Sequence, residues 1–222
     1  MSRSGRDAGR RVKTARRRSA SSTRWLERQL NDPYVKKAKD AGYRSRAAFK
    51  LIELDEKFDL LKKATRVVDL GIAPGGWAQV VREKAPSAAI AGIDLLETEP
   101  IDGVTILQMD FMADAAPGAL MEALGGAPDL VMSDMAANTV GHKQTDHLRT
   151  MGLVEAAAWF AIEVLEAGGD FVAKVLAGGT DKDLLALLKK HFRTVKHAKP
   201  PASRKGSSEW YVVALGFKGR EA

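Results

Sequence analysis

Cysteine is absent from the 222 residues of this chain. A disulfide framework and cysteine-ligated zinc are therefore excluded, as is every reaction that needs a thiolate nucleophile. The sequence offers no other motif with metal-ligand spacing, so we predict no metal site.

Long apolar runs are also missing. No stretch approaches the roughly 20 apolar residues of a membrane span, and no apolar segment follows the charged N-terminus as a secretory signal would require. We therefore expect a soluble, cytoplasmic protein. Because 45% of the residues are hydrophobic, we predict one substantial core and a single domain over residues 25–222.

Acidic residues are scarce at the start of the chain. Residues 1–24 hold nine Lys or Arg and one acid, a net charge of +8 against +7 for the whole chain, which leaves the remainder at −1. With few apolar residues to bury, this arm is expected to be disordered. An arginine-rich arm suits the phosphates of RNA, while a solubilising tail and a mitochondrial presequence, with mitochondrial localisation, remain as alternatives.

Residues 25–62 show helical spacing of apolar residues. Asn31-Asp32-Pro33 predicts a helix end followed by a restart at Pro33, and another helix is predicted from near Ser45. Lys50 lies at the border of the apolar arc of this second helix. It either passes the edge of the core with its aliphatic stem or serves a site.

After Lys63, short apolar runs alternate with helix-like segments, which predicts an α/β protein with a parallel sheet. Strands are predicted over 66–70, 89–93, 104–108, 130–133, 171–175 and 211–215. Helices are predicted over 77–84, 115–124, 147–165 and 181–190. From His191 to Gly216 the pattern indicates strand, loop, strand, with a polar loop over 200–208.

The first strand runs into a glycine loop, Val67-Val68-Asp69-Leu70-Gly71 to Gly75-Gly76-Trp77, where small residues let the backbone approach a ligand. Its spacing differs from the G-x-G-x-x-G of dinucleotide sites. Asp94 ends the next strand, where it can accept hydrogen bonds from ribose hydroxyls, and Asp110 ends the third, within reach of an adenine amine. These three strand ends predict S-adenosylmethionine as the cofactor.

The fourth strand delivers Asp134 beside the reactive end of such a cofactor. No Pro-Pro-aromatic turn of the kind found in base amine methyltransferases follows it, and pyrimidine C5 methylation would need a thiolate, so an oxygen acceptor remains. A ribose hydroxyl needs positioning and a general base. Lys174 lies in an otherwise apolar strand, where burial and a second cation such as Lys50 would favour a neutral lysine. Glu209, an ordinary edge acid if taken alone, completes an alternating set of charges.

The chain resembles the FtsJ/RlmE-type 2′-O-methyltransferases of large ribosomal RNA, from about Arg18 to Lys218. The matching segments are 19–25, 44–50, 69–77, 133–135, 171–175 and 208–213. The resemblance implies a Rossmann-like class I methyltransferase fold, with a seven-stranded, mostly parallel sheet and helices on both faces. It also implies catalytic Lys50, Asp134, Lys174 and Glu209, with Lys174 as proton acceptor, and cofactor contacts at Gly75, Trp77, Asp94, Asp110 and Asp134.

The same resemblance implies a substrate, a uridine ribose in the A loop of 23S rRNA within the assembled large ribosomal subunit, and we expect a monomeric enzyme. Ala137 departs from the family pattern, in which proline usually follows Asp-Met-Ala. Three alternatives stay open: the same reaction on tRNA or another RNA, a non-catalytic RNA-binding or ribosome-assembly factor, and a nicotinamide-dependent oxidoreductase, which the glycine spacing opposes.

Overall fold

A computed structural model describes residues 23, 26–27, 29–137, 143–176, 182–204 and 206–220. The helices are α1 (Pro33–Asp40), α2 (Ala48–Phe58), α3 (Gly76–Lys84), α4 (Ala116–Leu124), α5 (Lys143–Val164) and α6 (Lys182–His191). The strands are β1 (Arg66–Leu70), β2 (Ala89–Asp94), β3 (Val104–Gln108), β4 (Leu130–Ser133), β5 (Asp170–Leu176), β6 (Phe192–Ala198) and β7 (Glu209–Phe217).

The strands form one seven-stranded sheet in the order β3-β2-β1-β4-β5-β7-β6. The pairs from β3 through β5 are parallel, whereas β7 is antiparallel to both β5 and β6. Strand order reverses between β1 and β4, and in open α/β sheets a ligand crevice lies at such a point, outside the carboxyl ends of the strands. The predicted α/β class and mostly parallel sheet are confirmed.

Helices cover both faces of the sheet, because alternate residues of each strand feed two separate apolar layers. One layer joins the sheet to α4, α5 and α6 and contains Val68, Val131 and Val212. The other joins it to α2 and α3 and contains Val67, Trp77 and Tyr211. Odd and even positions of a strand therefore face different layers.

The segment before β1 forms two helices that pack on each other. Asp32 caps α1 by accepting a hydrogen bond from the Tyr34 backbone N–H, and Pro33 occupies the first helical turn. Tyr34 packs against Phe49 of α2 with ring centroids 5.5 Å apart. The break that the sequence predicts at 31–33 is present, although α2 begins at Ala48, three residues after the predicted start.

The observed helices and strands differ from the predicted ones by a few residues at their ends. The helix predicted over 147–165 begins at Lys143, and β5 and β7 extend beyond the predicted ranges at both ends. Asp110 does not end β3, since that strand stops two residues earlier at Gln108. The predicted basic arm, residues 1–22 and Arg24, lies outside the described residues. Among the helices described, none is both long and apolar enough to cross a membrane.

Candidate active site

One edge of the sheet collects the chemically active side chains. The carboxyl ends of the parallel strands β1, β2, β4 and β5 meet there, and β7 begins at this edge because it runs in the opposite direction. Glu209, the first residue of β7, pairs with Leu176, the last residue of β5. The antiparallel strand therefore brings an acid from near the end of the chain to the edge where Asp134 follows β4.

Four of the residues singled out from the sequence come together at this edge. Lys50 Nζ lies 3.0 Å from a carboxylate oxygen of Glu209 and 3.5 Å from Asp134 Oδ2. Lys174 Nζ lies 3.2 Å from Asp134 Oδ1 and also donates to the Asp134 backbone carbonyl. The four side chains are between 8% and 19% exposed. We call these residues the charged tetrad.

The local fold explains why the tetrad converges. Lys174 pairs with Tyr211 across β5 and β7, so both side chains point to the layer that contains α2 and α3. Lys50 reaches the same layer from α2 and is 6% exposed as a whole residue. It is therefore buried against two carboxylates and does not extend along the core edge to water.

The electrostatics of the tetrad balance. Burial raises the pKa of Asp134, but Lys174, Lys50 and the Tyr211 hydroxyl together outweigh that effect and hold the Asp134 pKa below its ordinary value. Asp134 is thus an anion at neutral pH. Two ammonium groups and two carboxylates can then occupy one partly buried space with no net charge, which is the condition for keeping ionised groups out of water.

Tyr211 is a site residue that the sequence argument missed. It is fully buried, and its hydroxyl donates a 2.7 Å hydrogen bond to Asp134 Oδ1. Burial, followed by the charges of Asp134 and Glu209, raises the pKa of Tyr211 well above 10. The hydroxyl therefore stays protonated and acts as a donor, not as a base. A tyrosine within an apolar strand gives no sequence signal beyond core packing.

The loop between β6 and β7 also does more than its polar composition predicts. Ser203 Oγ donates to Glu209 Oε1 at 2.9 Å, and Ser203 is 4% exposed. The Ala202 backbone N–H donates to Glu53 of α2, while its carbonyl accepts from Arg46. This loop is thereby fixed against the N-terminal helices, and it in turn holds Glu209.

The glycine loop after β1 has a backbone conformation and close packing that require glycine. Gly71 has φ +82°, and a Cβ there would lie 2.7 Å from the Met135 side chain. Gly75 has φ +106° and caps α3 without any side-chain hydrogen bond. The first backbone N–H groups of α3 lack partners within the helix and point out of its N-terminus, where an anionic group is stabilised.

Trp77 contributes its side chain to packing. Its indole N–H donates to the Ala47 carbonyl at 2.8 Å, its ring lies 5.8 Å from that of Tyr211, and it is 3% exposed. A contact from Trp77 to a cofactor would therefore come from its backbone N–H in the first turn of α3.

The two acids predicted to bind a nucleoside flank an exposed apolar surface. Asp94 Oδ2 accepts from the Ala73 N–H at 3.0 Å, and Asp94 Oδ1 accepts from the Leu96 N–H at 2.9 Å. Asp110 Oδ1 accepts from the Met112 N–H at 2.9 Å. Each carboxylate keeps further acceptor capacity. Large apolar side chains beside them are exposed: Leu95, Leu96 and Met112.

Those apolar residues were not identified from the sequence, although a signal existed. Leu95 and Leu96 directly follow Asp94, and Met112 follows Asp110 by two positions. Exposed apolar residues immediately after a polar strand end suit the face of a flat ring. The exposed fractions of Leu95 and Met112, 61% and 57%, leave such a surface uncovered.

Arg44 links the loops around this surface. Its guanidinium donates to the carbonyls of Glu99 and Pro100 at 2.6 and 2.8 Å, and to that of Pro74 at 3.4 Å. The segment 44–50 thus binds the glycine loop at one end and supplies Lys50 to the tetrad at the other. The hydrogen bonds of Arg44 to these carbonyls could not be deduced from its sequence context alone.

Asp69 is the remaining acid of the site. It is 1% exposed, and its Oδ2 has no hydrogen-bond partner among the described residues. Burial, then Asp134 and Asp94, raises the Asp69 pKa to about 8. The unpartnered polar atom of Asp69, the N-terminus of α3 and the exposed Leu95 and Met112 together fit a nucleoside that carries a charged amino-acid arm. The described residues hold no cluster of acids or histidines suited to a metal ion.

The doubly wound sheet, the glycine loop after β1 and the acids after β2, β3 and β4 define a class I methyltransferase. Comparison with known proteins narrows this class. Residues 43–217 match the family model of FtsJ-like methyltransferases, and the chain belongs to that family. This membership contradicts the oxidoreductase alternative.

Close relatives share the whole length of the chain. A ribosomal RNA large subunit methyltransferase E from Erythrobacter litoralis is 84% identical over 99% of this chain and 100% of its own length. The protein of the same name from Novosphingobium aromaticivorans is 76% identical over 99% of both chains. A crystal structure described as a ribosomal RNA methyltransferase from Plasmodium falciparum is 34% identical, with a TM-score of 0.71, over 80% of this chain and 100% of that one.

Proposed function

We propose that this protein transfers the methyl group of S-adenosylmethionine to the 2′-hydroxyl of a uridine in the A loop of 23S rRNA, within the large ribosomal subunit. The observation that supports this most directly is the charged tetrad, in which two lysines alternate with two carboxylates beside the glycine loop. Relatives at 84% and 76% identity carry the name ribosomal RNA large subunit methyltransferase E.

The proposed cofactor contacts use the groups that remain open at the sheet edge. Asp94 accepts hydrogen bonds from the ribose hydroxyls, Asp110 interacts with the adenine amine, and Asp134 lies towards the methionine part. The backbone N–H groups of Gly75 and Trp77 bind the carboxylate at the N-terminus of α3. When bound, S-adenosylmethionine supplies a methyl group activated by a positively charged sulfur.

In the proposed transfer, Lys174 takes part as the neutral amine after it has released one ammonium proton to solvent. Its Nζ then accepts the proton of the ribose hydroxyl as the O–CH₃ bond forms and the S–CH₃ bond breaks, which leaves the sulfur as a neutral thioether. Lys50 positions the hydroxyl by donating to its oxygen, and Glu209 holds Lys50 in place through their 3.0 Å ion pair. Asp134 is anionic and lies 3.2 Å from Lys174 Nζ, so it stabilises the ammonium that proton transfer produces. Tyr211 holds Asp134 in place through its 2.7 Å hydrogen bond.

Two substitutions at Lys174 test its role. Lys174→Ala removes the acceptor, and we expect methyl transfer to fall by roughly 10²- to 10⁴-fold while cofactor binding measured by titration is retained. Lys174→Arg keeps a cation beside Asp134 that cannot give up its proton near neutral pH, so this variant should be equally inactive. Exposed Lys63→Ala is the matched control. Near wild-type transfer by either Lys174 variant would rule out Lys174 as the base.

The substrate assignment is tested separately. Large subunits, free 23S rRNA and tRNA from a strain that lacks the enzyme are offered with labelled cofactor, and the methylated nucleotide is mapped by mass spectrometry. We expect labelling of the subunit at one uridine ribose. Labelling of tRNA alone would overturn the ribosomal assignment, and label on a base would overturn the hydroxyl chemistry.

We further propose that residues 25–222 act as a single domain whose segment 25–62 faces the RNA. This rests on the contacts that join Arg44 to Pro74 of the glycine loop and to the loop after β2, and on the ion pair of Lys50 with Glu209. The basic arm, residues 1–24, adds phosphate contacts in this proposal. We expect the active enzyme to be a monomer in the bacterial cytoplasm, where ribosomes are assembled.

A further inference from the structure

Trp210 is a bulky aromatic residue that the proposed chemistry leaves unused. It lies in β7 between Glu209 and Tyr211, yet it is 36% exposed. The other large apolar side chains in the described strands are less exposed than Trp210. Because side chains alternate along a strand, Trp210 points away from the layer that contains Tyr211 and towards the opposite face of the sheet.

The position of Trp210 connects it with the active edge. It pairs with Val175, the neighbour of Lys174, and it directly follows Glu209. Adjacent strands lie about 4.8 Å apart. Trp210 therefore lies at the same edge of the sheet as the tetrad but on the opposite face. An RNA strand that crosses this edge can contact both Trp210 and the tetrad.

A cation lies over the indole ring of Trp210. Lys199 Nζ lies 5.8 Å from the Trp210 ring centroid and donates to the Ser207 carbonyl at 2.6 Å. An ammonium has three protons, so this one keeps donors for an anion. Ser207 belongs to the loop between β6 and β7, and this loop is fixed through Ser203, whose hydroxyl donates to Glu209. The aromatic ring and the charge are thus presented together in a defined position.

We propose that Trp210 and Lys199 bind an unpaired nucleotide next to the methylated one, with its base stacked on the indole and its phosphate on the ammonium. The inference rests on the proposed function and names a substrate contact of that site. Proteins recognise single-stranded RNA by stacking bases on aromatic side chains beside a cationic track. The charge beside the ring and the continuity with the tetrad favour this occupant over an apolar protein partner.

Substitution of Trp210 tests the contact, with a matched control in the chain. Trp210→Ala should raise the KM for large subunits roughly 5- to 150-fold, the range given by about 1–3 kcal/mol per stacked base, with kcat and cofactor affinity unchanged. Trp210→Phe should recover most of the loss because phenylalanine keeps a stacking face. Trp159→Ala, which removes a 53% exposed tryptophan from α5, should leave the KM unchanged.

Lys199→Ala gives an independent readout. Loss of one phosphate contact should lower the slope of log affinity against log salt by about one unit. A purely structural role for Lys199 would leave that slope unchanged. An unchanged slope would therefore remove the phosphate part of the proposal.

Fluorescence separates this proposal from the proposed function. A single-stranded oligonucleotide of the A-loop sequence should quench tryptophan emission in the wild type, and Trp210→Phe should lose that quenching while Trp159→Phe keeps it. The proposal is overturned if the quenching persists without Trp210, or if Trp210→Ala has the wild-type KM. Failure of the wild type to methylate large subunits would instead refute the proposed function.

Discussion

Replacing Asp69 by asparagine is expected to stabilise the protein against unfolding, and by an amount that grows with pH. Asp69 lies in the centre of the sheet, paired with Gly92 and Met132. Its burial, with the nearby charges of Asp134 and Asp94, raises its pKa from 3.8 to about 8. Folding at neutral pH must therefore protonate this carboxyl, which the unfolded chain would leave ionised. Asparagine has nearly the same shape and carries no charge.

The sign and size follow from proton linkage. A carboxyl whose pKa is raised in the folded state stabilises that state fully below the unfolded pKa of 3.8, and this stability is lost as the pH rises towards 8. Within that window the advantage of Asp69→Asn over wild type should grow by about 1.4 kcal/mol per pH unit. From pH 5 to 7 this gives about 2.6 kcal/mol, slightly less than two full steps because pH 7 approaches the folded-state pKa, with little further change above pH 8.

The assay is urea unfolding of cofactor-free protein at constant ionic strength, at unit steps from pH 5 to pH 9. Exposed Asp102→Asn sets the baseline for a surface change of the same type. A difference between Asp69→Asn and wild type that stays constant from pH 5 to 7 would refute the argument. So would a less stable variant, because it would mean that Asp69 is an ionised, satisfied acid in the folded protein.

Tyr211→Phe removes a 2.7 Å hydrogen bond to anionic Asp134, so the free energy of unfolding should fall by about 1.5–3 kcal/mol. The acid limb of the pH–rate profile should also move to higher pH, and an unmoved limb would contradict the role of the hydroxyl. Arg44→Ala removes donors to three carbonyls of the cofactor loops. It should weaken cofactor binding in a calorimetric titration more than it changes kcat. A lower kcat with unchanged cofactor affinity would contradict a role for Arg44 in cofactor binding. Deleting residues 1–17 should weaken subunit binding and flatten its salt dependence without changing cofactor affinity, and an unchanged salt slope would restore the interpretation of a solubilising tail.

Patterns that depend on local periodicity were predictable from the sequence. The short apolar runs locate six of the strands, and the strand-loop-strand pattern from His191 to Gly216 accounts for β6. The glycine loop and Asp94 come at strand ends as expected. The position of Lys174 in an apolar strand indicated that its charge needed a purpose, whereas Lys50 at the border of an apolar arc could also have passed the core edge with its aliphatic stem. The structure supplies a shared partner, because Asp134 lies within 3.5 Å of both lysines.

Contacts that depend on tertiary packing were not predictable in this way. Tyr211 has the sequence context of a core residue, and only the register of β5 with β7 brings its hydroxyl to Asp134. Ser203 lies in a loop of ordinary polar composition, and its link to Glu209 depends on how that loop is held by α2. Trp77 followed the glycines as a cofactor contact would, but its indole is satisfied by Ala47.

The position of β7 at the end of the chain also sets the order in which the cofactor site and the charged tetrad are completed during protein synthesis. Lys50 and Glu209 are 159 positions apart, whereas the glycine loop and the acid after β2 lie close together in the chain. The nascent polypeptide contains every residue proposed to hold the cofactor long before it contains the last member of the tetrad. A chain that ends before β7 would lack both Glu209 and the strand that joins β5 to β6, so methyl transfer in this proposal depends on translation having reached the final strand.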